Sequence, residues 1–187
     1  MIFYNQNDYT HIPYPSAGFP NENIEDSGCG VCSASMVVEN LTGQKFPIKE
    51  STAFALQAGA RDDDGTDMEK LAPALCERFG LSFEATDDTE KVLAFLNAGE
   101  GMVIANPGGD REGHVGLFTT TGHYIVLAAA RQRTVMVLDP SLSPTKFEKE
   151  GRRGMVFVDG VNIYCDIDAV KEDCLNRSPA FYLFKKA

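Results

Sequence analysis

Gly28-Cys29-Gly30-Val31-Cys32-Ser33 places a cysteine between two glycines at the mouth of a helix. Val31 to Leu41 reads as helical, because Ala34, Val37, Val38 and Leu41 recur at intervals of three and four along one apolar stripe. Gly43 supplies a C-terminal stop, and Asp26 or Ser27 an N-cap. Cys29 therefore falls in a first turn, where free backbone N–H groups and the helix dipole favour negative charge. Such a setting lowers a thiol pKa, and the thiolate is the nucleophilic form. The flanking glycines leave the sulfur open to a substrate backbone. Cysteine is also among the most buried residue types, so this stretch alone reads first as a core thiol. The rest of the chain reverses that preference.

A nucleophilic cysteine needs a base, a group that orients the base, and a donor for the developing oxyanion. The chain has three histidines. His11 lies in a Pro- and Tyr-rich N-terminal segment, and His114 in a Gly-rich loop. His123 opens the apolar run Gly122-His123-Tyr124-Ile125-Val126-Leu127-Ala128-Ala129-Ala130, which reads as a buried strand. A second run, Thr134-Val135-Met136-Val137-Leu138, ends at Asp139-Pro140, and Arg131-Gln132-Arg133 between them reads as a hairpin turn. A turn centred on Arg131 opposes residues equidistant from it, and His123 and Asp139 each stand eight positions away. Directly opposed Cβ atoms are about 5 Å apart, close enough for a carboxylate to hold an imidazole. A two-residue turn would make the pair diagonal. A core histidine and a strand-ending Asp-Pro turn are the bland alternatives, and they leave the coincidence unexplained.

Gln6, Gly28-Cys29-Gly30 with Ser33 and Met36, Gly122-His123-Tyr124-Ile125-Val126-Leu127 and Asp139-Pro140 together resemble the papain-like cysteine peptidases of the bacteriocin-processing type, which trim double-glycine leader peptides. The likeness runs from about Gln6 to Ser141 and leaves the C-terminal stretch without a counterpart. It implies that Cys29 is the nucleophile, His123 the base, Asp139 its orienter and Gln6 the oxyanion donor, with a peptide or protein substrate and no metal or organic cofactor. Many relatives carry Pro two residues after the nucleophile, where this chain has Val31. Cys32 also gives Cys-Gly-Val-Cys-Ser, similar to the Cys-Gly-Ser-Cys-Trp of plant papains, in which the second cysteine is catalytic. Cys29 is preferred, because dipole and access coincide in the first turn.

At 187 residues the chain suits one domain, with residues 1–26 as an extended N-terminal arm presenting Gln6 and 155–187 completing the sheet. Hydrophobic residues make up 43% and charged residues 24%, which is ordinary for a globular protein. A net charge of −10 and the lack of any basic run exclude nucleic acid and anionic membrane surfaces as expected partners. No apolar stretch approaches the length of a membrane span. Met1-Ile2-Phe3-Tyr4-Asn5-Gln6 has no basic region followed by an apolar segment, so no signal peptide is expected there. Five irregularly spaced cysteines suit reduced thiols and a cytoplasmic setting; a secreted form whose signal has been removed is the alternative.

Further helices are expected from Lys49 to Gln57, and after two capping boxes, Thr66-x-x-Glu69 and Asp87-x-x-Glu90. Met68, Leu71, Ala72, Leu75, Cys76 and Phe79 form a helical stripe, which makes Cys76 a core residue. Residues 61–67 are faintly similar to a calcium loop but lack its twelfth-position acid, and they read as a solvated loop. After Gly99 the pattern turns to strands at 102–105, 123–130, 134–138, 155–158, 161–164 and 181–184, with Asp159-Gly160 a hairpin turn and 167–176 a short helix. Helices first and strands second predict an α+β fold with N-terminal helices packed on a C-terminal antiparallel sheet, and the resemblance implies that it is the papain-like one. Pro140 to Gly154 reads as a mobile loop beside the site. The rivals are a Cys29-x-x-Cys32 redox or metal module, a non-catalytic binding domain, and acyl or peptidyl transfer through the same acyl-enzyme.

Overall fold

The computed structural model describes residues 1–187. A 3-10 turn at Gln6–Asp8 is followed by α1 (Ile24–Ser27), α2 (Cys29–Thr42), α3 (Ile48–Gln57), a small hairpin of β1 (Arg61–Asp62) and β2 (Gly65–Thr66), and α4 (Met68–Phe79). Then come β3 (Leu81–Thr86), α5 (Thr89–Asn97), β4 (Met102–Ala105), β5 (Ile125–Arg131), β6 (Thr134–Leu138), β7 (Phe157–Asp159), β8 (Asn162–Asp166), α6 (Ile167–Cys174) and β9 (Phe181–Lys186). Seven strands form one antiparallel sheet in the order β3-β9-β4-β5-β6-β8-β7. This is the α+β papain-like architecture expected. No helix is long and apolar enough to cross a membrane.

Two cores cover the sheet. On one face α2, α3 and α4 bury Val31, Val37, Ile48, Leu71 and Leu75 against Ile104, Val126 and Phe184. On the other, α5 and α6 bury Val92, Leu96 and Val170 against Val103, Leu127 and Ile163. The helices thus lie on both faces, not on one. At the usual ~25 cal/mol per Å² of apolar surface, these layers are the main source of stability. The strand β3 was not expected. It pairs with the whole length of β9, and its alternation of Leu81, Phe83 and Ala85 with Ser82, Glu84 and Thr86 carries the period-2 signal.

Several local expectations need correction. Asp26 does not cap the nucleophile helix: it closes a capping box with Asn23 on α1, which ends at Gly28, so α2 begins at Cys29 with no side-chain cap. The cap of α4 is Asp67, not Thr66, and that of α5 is Asp88, not Asp87. Cys76 is only partly buried. Residues 61–67 form the β1–β2 hairpin, not an irregular loop. The expected 155–158 strand is β7, beginning at Phe157, and 167–176 holds α6.

The β5–β6 hairpin turns at Gln132-Arg133, since Arg131 pairs with Thr134 and Ala130 with Val135. The turn is therefore not centred on Arg131. Carried straight on, that register would put His123 and Asp139 on opposite faces. A bulge between Leu127 and Ala129 shifts the pairing to Leu127–Val137 and Val126–Leu138. Extended toward residue 123, the shifted register sets Asp139 opposite Ile125 and returns His123 to the same side, one diagonal away.

Candidate active site

Cys29 is the first residue of α2. Both glycines beside it serve close packing. A side chain at Gly28 would strike the Ile24 carbonyl at 2.5 Å, and one at Gly30 would strike Thr66 Cβ at 2.5 Å. The glycines thus let α1 and the β1–β2 hairpin close on the helix start, beyond leaving the sulfur open. Thr66 is held there by Tyr14, whose hydroxyl lies 2.9 Å from Thr66 Oγ1 and which is fully buried.

His123 and Asp139 are brought together by the hairpin. His123 Nε2 lies 2.8 Å from Asp139 Oδ1, with both side chains buried. With Nε2 taken by the carboxylate, Nδ1 is the ring nitrogen left to serve the Cys29 thiol. Burial pushes the Cys29 thiol up, but the imidazole and the backbone N–H groups of Tyr124 and Gly30 outweigh it, and the thiol lies below its ordinary value. Burial pushes His123 down, yet the Asp139 carboxylate and Cys29 raise it above an ordinary imidazole. The two shifts favour a thiolate–imidazolium pair.

Cys32 lies one turn deeper, wholly buried in the core, and burial drives its thiol far up. All five cysteines are free thiols.

Gln6 is buried but is not part of this hydrogen-bonded chain. Its backbone N–H donates to the Pro140 carbonyl at 2.6 Å, and its Nε2 donates to the Glu25 carbonyl at 2.6 Å. Asn5 Nδ2 donates to the Leu142 carbonyl at 2.8 Å, so the arm is pinned to the segment that follows Asp139. Gln6 Oε1 is buried without a partner.

Two residues beside the carboxylate were not foreseen. Lys146 Nζ stands 2.6 Å from Asp139 Oδ2 and donates to Ser141 Oγ at 2.5 Å. Ser141 Oγ in turn lies 3.1 Å from His123 Nε2. Burial raises Asp139, but Lys146 and His123 hold its carboxyl well below the usual range. Lys146 is itself pushed down by burial, against the pull of Asp139. The segment expected to be a mobile loop is therefore packed into the site. Lys146 and Arg152 are both buried in it, and Phe147 sits edge-on to Phe118. His114 stands apart: its Nε2 lies 2.7 Å from Asp173 Oδ1, and Asp173 also accepts from the N–H groups of Leu117 and Phe118. It ties the Gly-rich loop to α6.

The thiol and imidazole lie in a cleft of about 910 Å³ whose walls include the β1–β2 hairpin, the start of α4 and residues 177–179. Two solved structures are similar to the chain over nearly all its length. A double-glycine motif protease from an AMS/PCAT transporter, solved with its leader peptide, aligns with a TM-score of 0.51 at 14% identity over 100% of both chains. A Bacillus anthracis protein described as a C39-like peptidase aligns with a TM-score of 0.56 at 12% identity, over 95% of this chain and 96% of that one. The fold is that of the double-glycine peptidases. The likeness extends through the C-terminal strands, for which the sequence offered no counterpart. No family model and no curated protein matches the chain.

Proposed function

We propose that the cleft is the active site of a cysteine peptidase acting on peptide or amide bonds. The observation that carries this reading is the buried His123–Asp139 hydrogen bond beside Cys29, whose lowered thiol shares the cleft with the imidazole. His123 takes the Cys29 proton, and the thiolate attacks the carbonyl carbon. The imidazolium then protonates the leaving amine, and water, deprotonated by His123, cleaves the thioester. Asp139 on Nε2 fixes the tautomer that leaves Nδ1 toward the sulfur. Backbone N–H groups of the α2 first turn, with Gln6, receive the oxyanion. Gln6 Nε2 spends one hydrogen on Glu25 and retains a second for this role.

Alkylation rate against pH tests the pair. Cys29 is expected to react as a thiolate below the reference thiol pKa of about 8.5. His123→Ala should move the midpoint upward, because it removes the imidazolium and leaves only the backbone donors. His114→Ala should leave the profile in place. Identical profiles for wild type and His123→Ala would end the catalytic-pair reading.

Gln6→Ala is expected to lower kcat roughly a hundredfold with little change in KM, as for a lost oxyanion donor. Steady-state kinetics on one cleaved peptide decide it, and an unchanged kcat would remove Gln6 from the reaction.

A further inference from the structure

The cleft is strongly one-signed. Eight carboxylate residues line it against a single guanidinium, that of Arg177. Two of the eight are neutralised locally: Glu22 pairs with Arg61, and Asp67 with Lys70 at 2.8 Å. The other six, Asp26, Asp62, Asp63, Asp64, Glu69 and Asp110, have no ion-pair partner. Three of them serve the fold. Asp26 accepts from the Asn23 N–H, Asp63 from the Gly18 N–H, and Asp110 from the Gly116 N–H. The Asp62 carboxylate does no more than accept the N–H of Asp64 inside its own turn, and the side chains of Asp64 and Glu69 are exposed and accept no hydrogen bond. No hydrogen bond or ion pair of the fold uses the carboxylates of Asp64 and Glu69, although Glu69 stands favourably in the first turn of α4.

The backbone that carries Asp62 and Asp64 is packed close to the sulfur. The hairpin that carries Asp62 and Asp64 packs on the residue after Cys29, where Thr66 fills the space a side chain at Gly30 would take. Asp62, Asp64 and Glu69 line the same cleft as Cys29 and His123. A cleft lined by one sign of charge concentrates ligands of the other sign and speeds their arrival.

We infer that the substrate is a cationic peptide, with lysine or arginine within a few residues of the bond that meets Cys29, and that Asp62, Asp64 and Glu69 select it. The thiol–imidazole pair, not the carboxylates, makes the cleft a substrate site, so the inference rests on the peptidase reading. Exposed ion pairs are individually weak, and three together give a preference on the order of tenfold, screened by salt over about 8 Å at physiological ionic strength.

The test uses the full chain carrying Cys29→Ala and three fluorescent peptides of one sequence, with lysine, glutamine or glutamate flanking the central bond. At low ionic strength the lysine peptide should bind about tenfold more tightly than the glutamine peptide, and the glutamate peptide more weakly still. The gap should shrink with added NaCl, and Asp62→Asn/Asp64→Asn/Glu69→Gln in the same background should erase it. Equal binding of the three peptides overturns the inference, as does a lysine preference that survives the triple substitution. Should the triple variant not fold, the peptide series and its salt dependence decide alone. Wild-type protein given the same peptides separates the two readings. Tight lysine-peptide binding without cleavage ends the peptidase reading and leaves only the charge preference of the cleft, and cleavage without charge preference ends this inference and keeps the peptidase reading.

Discussion

Replacing Cys29 by alanine is expected to abolish peptide hydrolysis, a loss of at least about 10⁴-fold in kcat, since no other thiol is in reach of His123. The protein should remain folded. The companion variant Cys32→Ser should keep most activity and lose stability, because its hydroxyl would enter a fully buried apolar position, at about 1–3 kcal/mol if unpaired. Steady-state hydrolysis and thermal unfolding of the two variants separate the roles. An active Cys29→Ala and a dead Cys32→Ser would move the nucleophile one turn deeper.

The second large effect belongs to Lys146. Its ammonium and the Asp139 carboxylate are both buried and 2.6 Å apart. Lys146→Met would leave Asp139 buried with only His123 as a cationic neighbour, and breaking such a pair costs about 3–5 kcal/mol. The sign of the pH dependence follows from Asp139. Its folded-state pKa is depressed, so the stability it contributes is present above the unfolded value of about 3.9 and is lost as pH falls below it. The gap in stability between wild type and Lys146→Met should therefore be widest near neutral pH and close in acid, where Asp139 can take a proton. Chemistry should change too. Asp139, relieved of its lysine, would bear more strongly on His123 and raise its titration further, while loss of the lysine charge would act on the thiolate in the opposite sense, so the expected change is an upward shift of the His123 titration. Denaturant unfolding at several pH values, with Lys146→Arg as the charge-conserving control, reads both effects. A pH-independent loss, or none, would make Lys146 a packing residue.

The site was legible where its chemistry draws on scarce residue types in distinctive local settings. Three histidines, a cysteine between glycines and an Asp-Pro at a strand end leave few combinations. What was hidden depends on partners remote in the chain. Thr66 looks like a helix cap, but the Tyr14 hydroxyl claims it, so the cap passes to Asp67. Asp87 looks like one too, yet it accepts from Ser178 and Ala180, and Asp88 caps α5. Cys29 falls in the first turn of α2 as expected, but the expected cap does not: Asp26 closes α1 with Asn23, and α2 starts after Gly28 without a side-chain cap. Lys146 sits among mixed charges with no local mark. Its burial arises only when residues 140–154 fold back over the hairpin end.

The single unpaired residue in β5 has a consequence for how this chain can vary. Because the bulge near Ala128 restores His123 and Asp139 to a common side, chain length between them matters by its parity. Insertions or losses of two residues between base and carboxylate keep the pair on one face. A change of one swings the imidazole away unless a bulge is gained or lost with it. Among descendants of this sequence, the spacing from histidine to aspartate should drift in even steps, and an odd step should coincide with a remodelled β5.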